Sequence, residues 1–289
     1  MLHGVSGLPD ISIRQLEYLV AVADASTWAQ AAETVGVSPS ALSQGLAELE
    51  RRVGVELFEP AGRRRRLRAS AGPVLDHARQ VVSLTGDLVA WSDRVRTARR
   101  GRVRVGMIDV AAVDHYPEVL RAFRTDRPDV ELTLSVAPSS PLLDDLRAGE
   151  LDLVVCVDPP EVPVGIELVP LRDEPIVVYA PEGTRVGPAS RWGPWVLFPD
   201  GSHTRHQIIE HLRELGAPLR VAADSHQPDV LREMVDLGLG WTVLPAASEG
   251  SDRLVRGPVL FDRSLVLARR AGAVTDPAAD ELADRIRRA

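Results

Sequence analysis

Small polar residues gather just after a short turn near the start of the chain. They are Ser38, Ser40, Ser43 and Gln44, with Pro39 between the first two. Serine hydroxyls and a glutamine amide both donate and accept hydrogen bonds, which is the chemistry needed to read base edges in the major groove of DNA. Thr27 and Gln30, at the start of the preceding segment, offer similar groups. We therefore predict a DNA-reading surface at these positions.

A run of positive charge follows in the next part of the chain. Four consecutive arginines, Arg63, Arg64, Arg65 and Arg66, are joined by Arg68. Guanidinium groups bind phosphates, so such a run beside a base-reading helix can engage the DNA backbone. The alternative is an ordinary solvated basic loop.

A second set of candidate binding residues comes at the ends of predicted strands farther along the chain. They are Ile108, Asp109, Val110, Ser139, Ser140, Asp158, Ser202, His203, Thr204, Ser225 and His226. In open α/β sheets, ligands bind beyond the carboxyl ends of strands and beside helix N-termini. Hydroxyls in those places, next to free backbone N–H groups, would hold a carboxylate. For any one of these hydroxyls, helix capping is the alternative role.

Asp109 gives this second set a preference for one kind of ligand. Its carboxylate would repel a simple carboxylate and attract an ammonium or another donor group. We therefore expect a zwitterionic or cationic ligand, such as an amino acid, rather than a dicarboxylate or benzoate. The alternative is that Asp109 caps the following helix and never meets the ligand.

The remaining reactive side chains form no catalytic or metal-binding pattern. His203 and His206 would share one helical turn, and Cys156 stands at a strand end. No His, Cys and Asp grouping has the spacing of metal ligands, and the sequence contains neither a G-x-S-x-G elbow nor a phosphate-binding loop. We expect no enzyme activity, no metal and no cofactor.

Two short amphipathic segments carry the first set of residues, and a Gly36-Val37 turn separates them. Gly36 can take the positive φ at which a helix stops, and the next segment opens with a capping serine and a proline. Behind that start, Leu42, Leu46 and Leu49 fall on one apolar face. This is a helix-turn-helix signature, and an ordinary helical hairpin in a core is the alternative.

The neighbouring segments complete a small domain. Ser12 would cap a first helix that ends near Ala25, and Trp28 would pack between helices. Residues 53–58 alternate as a strand, and Pro60-Ala61-Gly62 would turn the chain before the arginines. Three helices followed by a basic hairpin predict a winged helix-turn-helix.

Apolar residues then recur every seven positions over residues 73–100, at Val74, Val81, Leu88 and Val95. This pattern predicts one helix of roughly 40 Å with an apolar seam. An exposed seam of that length would be costly, so we predict that the helix pairs with a partner chain. The alternative is a straight helix packed on its own domain.

Strands and helices alternate after Gly101. The predicted strands cover residues 102–107, 130–136, 153–157, 166–171, 176–179, 195–198, 219–222, 241–244 and 265–268. The predicted helices cover residues 116–123, 142–146, 206–215, 230–237 and 278–288. Such alternation indicates a parallel sheet that is covered on both faces. Asp158-Pro159-Pro160 separates two successive units, so we expect two lobes with a cleft between them.

The composition fits a two-domain protein of the cytoplasm. A chain of 289 residues is about two domains long. The net charge is −7, but the first 72 residues hold eight arginines and eight acidic residues, so the acidic excess lies farther on. The sequence shows no basic, apolar leader and no apolar run of ~20 residues. Its single cysteine cannot form an internal disulfide and fits a reducing compartment.

The segment from Ile13 to Phe58 resembles the N-terminal domain of LysR-type transcriptional regulators, through RQLEYLVAVAD and AQAAETVGVSPSALSQGLAELERRVGVELFE. The similarity continues with DVELTLSV, LRAGELDLVV, FPDGSHTR and MVDLGLGWTVLP, and so covers almost the whole chain. It implies an α+β multidomain fold with three parts. These are an N-terminal winged helix-turn-helix (1–71), a long linker helix (72–100), and a C-terminal two-lobed α/β domain like periplasmic binding proteins (101–289). Lobe I would hold about 101–157 and 267–289, and lobe II about 158–266.

The same resemblance implies the partners. These are promoter DNA, a small-molecule effector, RNA polymerase and further copies of the chain in a homodimer or homotetramer, without a membrane. A peroxide sensor of this family would need a second cysteine. The alternative function is a solute-binding or enzymatic α/β protein with a fused helical module. A solute-binding protein, however, needs a signal peptide and has no use for the first hundred residues.

Two positions depart from the family pattern. Gln44 stands where many members have Arg, and Gly45 stands where they have a long polar residue. Glycine inside a helix costs about 0.5–1 kcal/mol relative to alanine. Gly45 is therefore expected to weaken the helix and to remove one DNA contact. The basic segment RRRRLRASAG also differs from the usual L-T-x-A-G ending of the wing.

Overall fold

The computed structural model describes residues 10–61, 64–97, 101–246, 253–274 and 276–289. The chain divides into two compact units. The first comprises the residues up to Ser92 together with Arg147–Gly149, and the second comprises Asp93–Leu146 and Glu150–Ala289. In the part of the chain that the structure describes, no helix is long and apolar enough to span a membrane.

Three helices form the body of the first unit: α1 (Ile13–Asp24), α2 (Trp28–Thr34) and α3 (Pro39–Val53). The predicted caps Ser12 and Ser38 are confirmed, because each accepts a hydrogen bond from a backbone N–H of the first turn that follows. Thr27 caps α2 in the same way. The core between the helices contains fully buried leucines. They are Leu19, Leu42, Leu46 and Leu49. Because the leucines of α3 are buried in this core, the face of α3 on the other side from them lies at the surface.

A two-stranded hairpin follows, made of β1 (Phe58–Ala61) and β2 (Arg64–Leu67), which pair in an antiparallel register. The strand predicted for residues 53–58 begins too early, since α3 continues to Val53 and ends at Gly54 with φ of 76°. The Glu50 carboxylate accepts hydrogen bonds from the backbone N–H groups of Leu57 and Phe58, at 2.9 and 3.1 Å. Pro60 and Ala61, predicted in a turn, belong to β1; Gly62 lies outside the described residues.

The long helix α4 (Gly72–Thr97) confirms the predicted helix, and its two halves differ in their surroundings. In the first half, Leu75 and Ala78 are buried in the core of the first unit. In the second half, Leu88, Val89 and Trp91 are 53, 57 and 43% exposed. The apolar side of α4 is therefore buried in the first unit at the start of the helix and exposed in its second half. Residues 98–100 lie outside the described part.

The second unit contains a six-stranded sheet. Its strands are β3 (Arg102–Met107), β4 (Glu131–Val136), β5 (Leu153–Val157), β6 (Ile166–Ala180), β9 (Thr242–Pro245) and β10 (Val255–Arg270), in the order β4-β3-β5-β10-β6-β9. β3 lies parallel to β4 and β5, but β10 pairs antiparallel with β5 and β6, and β9 antiparallel with β6. The prediction of a parallel sheet is thus confirmed for β3, β4 and β5 and wrong for β6, β9 and β10. A separate parallel pair joins β7 (Trp195–Leu197) and β8 (Val221–Asp224).

β6 and β10 are 15 and 16 residues long and run through both lobes as an antiparallel pair. The sequence predicted two strands where β6 is one, and it predicted only the last part of β10. Their polar middles explain the error, because residues such as Arg172, Glu174 and Arg263 interrupt the apolar pattern that marks a strand. The lobes are thus joined by two paired strands, and not by the proline-rich segment alone.

Each lobe has its own core. The first core collects Val105, Met107, Phe123 and Leu267, and the second collects Val178, Trp195, Ile208 and Leu244. The covering helices are α5 (Pro117–Asp126), α6 (Ser139–Ala148), α7 (His203–Glu214), α8 (Pro228–Asp236) and α9 (Pro277–Arg288). All five predicted helices are confirmed, with ends shifted by a few residues. α6 and α7 both start earlier than predicted, so their first turns reach the strand ends.

Candidate functional site

The exposed start of α3 carries the residues predicted to read DNA. The Ser38 hydroxyl accepts from the Ala41 N–H at 3.2 Å and lies 2.9 Å from the Ser40 hydroxyl. Ser38, Pro39, Ser40 and Gln44 are exposed, whereas Ser43 is half-buried. The first turn of α3 therefore presents a small polar surface on a rigid leucine core, which is the geometry that a groove-reading helix needs.

The residues at the start of α2 are engaged in a local cap. The Thr27 hydroxyl accepts from the Gln30 N–H at 3.2 Å. The Gln30 side-chain oxygen accepts from the Ser26 N–H at 3.2 Å and from the Ser26 hydroxyl at 2.9 Å. Thr27 and Gln30 are exposed, but this cap fixes their oxygens before any DNA contact is made.

Gly45 has a packing role that the sequence did not reveal. A Cβ atom at this position would lie 2.7 Å from two ring carbons of Tyr18 on α1. Real Cβ atoms do not approach other atoms so closely, so the ring occupies the space of a side chain. This packing gives a reason for glycine at position 45, and the expected loss of a DNA contact there stays a prediction. A larger residue here would push on the α1–α3 packing.

The basic run is only partly described. Arg63 lies outside the described residues; Arg64 and Arg65 have a described backbone in β2, but their side chains are not part of the description. The Arg66 guanidinium donates to the Glu59 carboxylate at 2.6 Å and lowers the pKa of that exposed carboxyl. Arg68 donates to Glu56 and to the Phe58 carbonyl. Two arginines of the run are thus already paired with carboxylates, so the free positive charge is smaller than the sequence suggests.

A cleft of about 550 Å³ lies in the second unit. Nine of the predicted ligand-binding residues line it: Ile108, Asp109, Val110, Ser139, Ser140, Ser202, His203, Thr204 and His226. The structure brings these together because the ends of β3, β5 and β7 meet the first turns of α6 and α7 there. Phe198, Asp200 and Arg263 also line the cleft, although they were not predicted from the sequence.

Two predicted residues lie elsewhere. The Ser225 hydroxyl accepts from the Gln227 N–H at 3.1 Å, in a local turn outside the cleft lining. Asp158 is exposed and lines a neighbouring pocket of about 430 Å³ instead. Sequence position alone placed both residues after strands, but it could not tell on which side of the strand end each side chain lies.

The hydroxyls of the cleft have partners inside the chain. Ser139 accepts from the Val157 N–H at 3.3 Å, and Ser202 caps α7 by accepting from the Arg205 N–H at 3.5 Å. Ser140 lies 3.1 Å from Nε2 of His203 and so joins the first turns of α6 and α7. Burial lowers the pKa of His203 because it disfavours the charged ring, although the Val157 backbone and Asp158 raise it. The neutral ring is thus favoured.

Asp109 is the half-buried carboxylate of the cleft, whereas Asp200 is exposed and pairs with Arg205 at 2.8 Å. The short helical turn after Asp109, residues 111–115, has no side-chain cap, so the capping alternative has no support. Within the described residues the Asp109 carboxylate accepts no hydrogen bond. Burial raises its pKa, and the Asp229 charge raises it further, while Arg232 lowers it. A half-buried carboxylate without a donor is a group that a cationic ligand would stabilise.

A buried ionic cluster adjoins the cleft in the middle of the paired strands β6 and β10. Glu174 and Arg263 are partners in the strand register and are 1 and 4% exposed. Nε and Nη2 of Arg263 each lie 2.6 Å from Oε1 of Glu174, and Nη1 donates to the Thr204 hydroxyl at 2.7 Å. His115 Nε2 lies 3.0 Å from the other Glu174 oxygen. No sequence signal indicates this cluster, because its four members are far apart along the chain.

Cys156 and His206, two reactive side chains outside the cleft lining, differ in burial. Cys156 lies fully buried in β5, and burial raises the pKa of its thiol to about 12, with a smaller contribution from Asp158. His206 is exposed and faces Glu210 at 3.3 Å. Among the described residues, no group of three or more His, Cys, Asp and Glu side chains could hold a metal ion.

Comparison with known proteins agrees with this architecture. A family described as bacterial regulatory helix-turn-helix protein, lysR family, matches residues 13–71, and one described as LysR substrate binding domain matches residues 96–289. A probable hydrogen peroxide-inducible genes activator of Streptomyces viridosporus is 32% identical, over 96% of this chain and 94% of that protein. The regulator IlvR of Caulobacter vibrioides is 27% identical over 92% and 95%.

Solved structures give the same result. A full-length, singly substituted OxyR from Pseudomonas aeruginosa has a TM-score of 0.63 and 25% identity, over 96% of this chain and 94% of that one. CbnR, a LysR family transcriptional regulator, has a TM-score of 0.59 at 22% identity, over 96% and 98%, which supports the fold alone. With a helix-turn-helix first unit, a long helix and a two-lobed second unit, the α+β multidomain fold is confirmed, and the chain belongs to the LysR family of transcriptional regulators.

Proposed function

We propose that this LysR-family regulator binds promoter DNA through the start of α3 and the hairpin β1–β2, and binds a small amine-bearing molecule in its cleft. The observation that carries the DNA part is the exposure of the polar residues Ser38, Ser40 and Gln44 on a helix whose Leu42, Leu46 and Leu49 are buried. We keep the division into a DNA-binding domain (1–71), a linker helix (72–100) and a ligand-binding domain (101–289) as part of this proposal.

The proposal includes a homodimer or homotetramer that is formed through α4. The exposed Leu88, Val89 and Trp91 support it, because three neighbouring large apolar side chains on one helix favour a partner surface. Ligand binding in the cleft would bias the orientation of the two lobes and, through the oligomer, the spacing of the DNA-reading helices. The size of that bias is limited by the difference in ligand affinity between the two states.

The DNA part is tested by measuring binding at several salt concentrations. Arg64→Ala combined with Arg65→Ala is expected to weaken binding to all sequences and to lower the slope of log affinity against log salt by about 1 to 2, because each phosphate contact releases counterions. Ser40→Ala should instead change the preferred sequence in a selection from randomised sites. If the double variant has the same salt slope as the native protein, the hairpin does not contact the DNA backbone through these two arginines.

The ligand part rests on Asp109, whose half-buried carboxylate has no hydrogen-bond donor among the described residues. A ligand ammonium would offset the cost of burial that raises the pKa of this group. We propose an amino acid or a related amine, and not a dicarboxylate or benzoate. The relatives named for hydrogen peroxide do not lead us to propose a thiol sensor, since the only cysteine is buried with a pKa of about 12.

Calorimetry distinguishes these ligand classes. The twenty standard L-amino acids, with benzoate and succinate as contrasting anions, are titrated into the native protein and into Asp109→Asn. We expect an amino acid to bind, and the substitution to weaken it about tenfold or more, because a hydrogen bond to a charged group contributes about 1.5–3 kcal/mol. If only a simple anion binds, and the substitution leaves its affinity unchanged or tighter, the Asp109 proposal fails.

A further inference from the structure

Among the described residues, Arg263 is the one guanidinium in the lining of the cleft, and it is almost completely buried. Its Nε and one N–H of Nη2 are directed to Glu174, and one N–H of Nη1 is donated to Thr204. A guanidinium has five N–H donors. Within the described part of the chain, one N–H of Nη1 and one of Nη2 therefore remain without an acceptor, at a wall of the cleft.

The position of this guanidinium is fixed from several sides. Glu174 is held by Arg263 on one oxygen and by His115 on the other, so the carboxylate cannot turn away. Thr204, 3% exposed in the first turn of α7, holds Nη1. Because β6, β10, α7 and the turn 111–115 all contribute, the two remaining donors are held in place before any ligand arrives. Such preorganisation lowers the entropy cost of binding.

The surroundings of Arg263 favour an anion. The first turns of α6 and α7 open into the same cleft, at Ser139 and Ser202, and helix N-termini carry a partial positive charge. Glu174 neutralises one unit of charge but is shielded from the cleft by burial, and it is absent from the lining. The cleft thus combines Asp109 with a separate group of donors around Arg263.

We infer that Arg263 receives a carboxylate of the ligand, which makes the ligand a zwitterion rather than a simple amine. This inference rests on the proposed function of the cleft. It names the residue that binds the carboxylate end of the ligand, whereas Asp109 binds the amine end. Two N–H groups on one planar guanidinium match the two oxygens of a carboxylate, which strengthens the pair and fixes its orientation. Glu174 and His115 are positioning residues that hold the guanidinium. Thr204 lies on α7 and Glu174 on β6, so their contacts with Arg263 connect the ligand-binding group to α7 and to the paired strands β6 and β10.

The test compares the acid and amide forms of one probe. The L-amino acid that binds most tightly and its α-carboxamide are titrated into the native protein and into Arg263→Met. We expect the native protein to prefer the acid by at least about tenfold, and Arg263→Met to bind both forms about equally. Asp109→Asn should weaken both forms and keep the preference, since it acts on the amine. Arg269→Gln, which removes an exposed ion pair with Glu167, is the matched control and should change neither affinity nor preference.

Arg263→Lys serves if the methionine variant does not fold. It keeps the charge but loses the two-donor fork, so we expect a smaller acid preference than in the native protein. A preference that survives at full size in Arg263→Met or Arg263→Lys overturns the inference, and so does a native protein that binds none of the twenty amino acids. DNA binding by the unliganded native protein is measured in parallel. If the native protein does not bind DNA, the result counts against the regulator function. If it binds DNA but the Arg263 variants keep the full acid preference, the result counts against the role of Arg263 alone.

Discussion

Arg263→Met is expected to lower the free energy of unfolding of the second unit by about 3–5 kcal/mol, because removing one partner of a buried ion pair leaves the other charge uncompensated. Glu174 is 1% exposed and would keep only His115 as a partner for its carboxylate. The Thr204 hydroxyl would lose its donor as well. Denaturant unfolding at neutral pH, followed by circular dichroism, measures the change.

A second substitution separates the lost charge pair from lost packing. Combining Arg263→Met with Glu174→Leu removes both charges, and apolar replacement of a whole buried pair is often neutral or stabilising. We expect the double variant to be more stable than Arg263→Met alone. Arg269→Gln, in the exposed pair with Glu167, should change stability by less than about 1 kcal/mol. A double variant that is even less stable than the single one would contradict this account.

The acid side of the stability curve offers an independent check. Burial alone would raise the pKa of Glu174, but His115 and Arg263 together hold it below its ordinary value. A carboxyl with a lowered folded pKa contributes stability that is present above its unfolded pKa and is lost as the pH falls through the folded value. In Arg263→Met that carboxyl no longer has its cation, so protonation becomes less costly. The difference in free energy of unfolding between the native protein and Arg263→Met should therefore become smaller as the pH is lowered.

Leu46→Ala is expected to destabilise the first unit by about 2–5 kcal/mol and to abolish DNA binding, because truncating a fully buried leucine leaves a cavity and loses apolar burial. Leu46 is fully buried between α3 and the other helices. The start of α3 would then no longer be held rigidly. Thermal unfolding and gel-shift titration on a selected DNA site measure the two effects.

Gln44→Ala is the matched variant on the exposed side of the same helix. Because Gln44 is exposed, its truncation should change stability by no more than about 0.5 kcal/mol. Loss of a base contact should nevertheless cost about 1–3 kcal/mol of discrimination at one base pair. If Gln44→Ala binds every selected site like the native protein, α3 does not read bases through this residue.

The first unit follows from local patterns in the sequence. The caps Ser12 and Ser38, and the spacing of the leucines in α3, depend on residues only a few positions apart, and all are confirmed. The end of α3 shows the limit of such patterns. Residues 53–58 alternate like a strand, but Gly54 ends a helix there and Glu50 holds the N–H groups of Leu57 and Phe58. A side chain that reaches seven or eight residues ahead leaves no periodic signal.

Contacts between distant residues decided the rest. The sequence identified most strand ends and helix starts that line the cleft, because each is a local signal. It could not indicate that Arg263 faces Glu174 across β6 and β10, that the ring of Tyr18 fills the space beside Gly45, or that Leu75 is buried while Leu88 is exposed on one helix. Local hydrogen bonds and periodicity are encoded by neighbours in the chain and can be read from it. Burial and charge pairing depend on which remote segments fold together, and only the tertiary structure determines that.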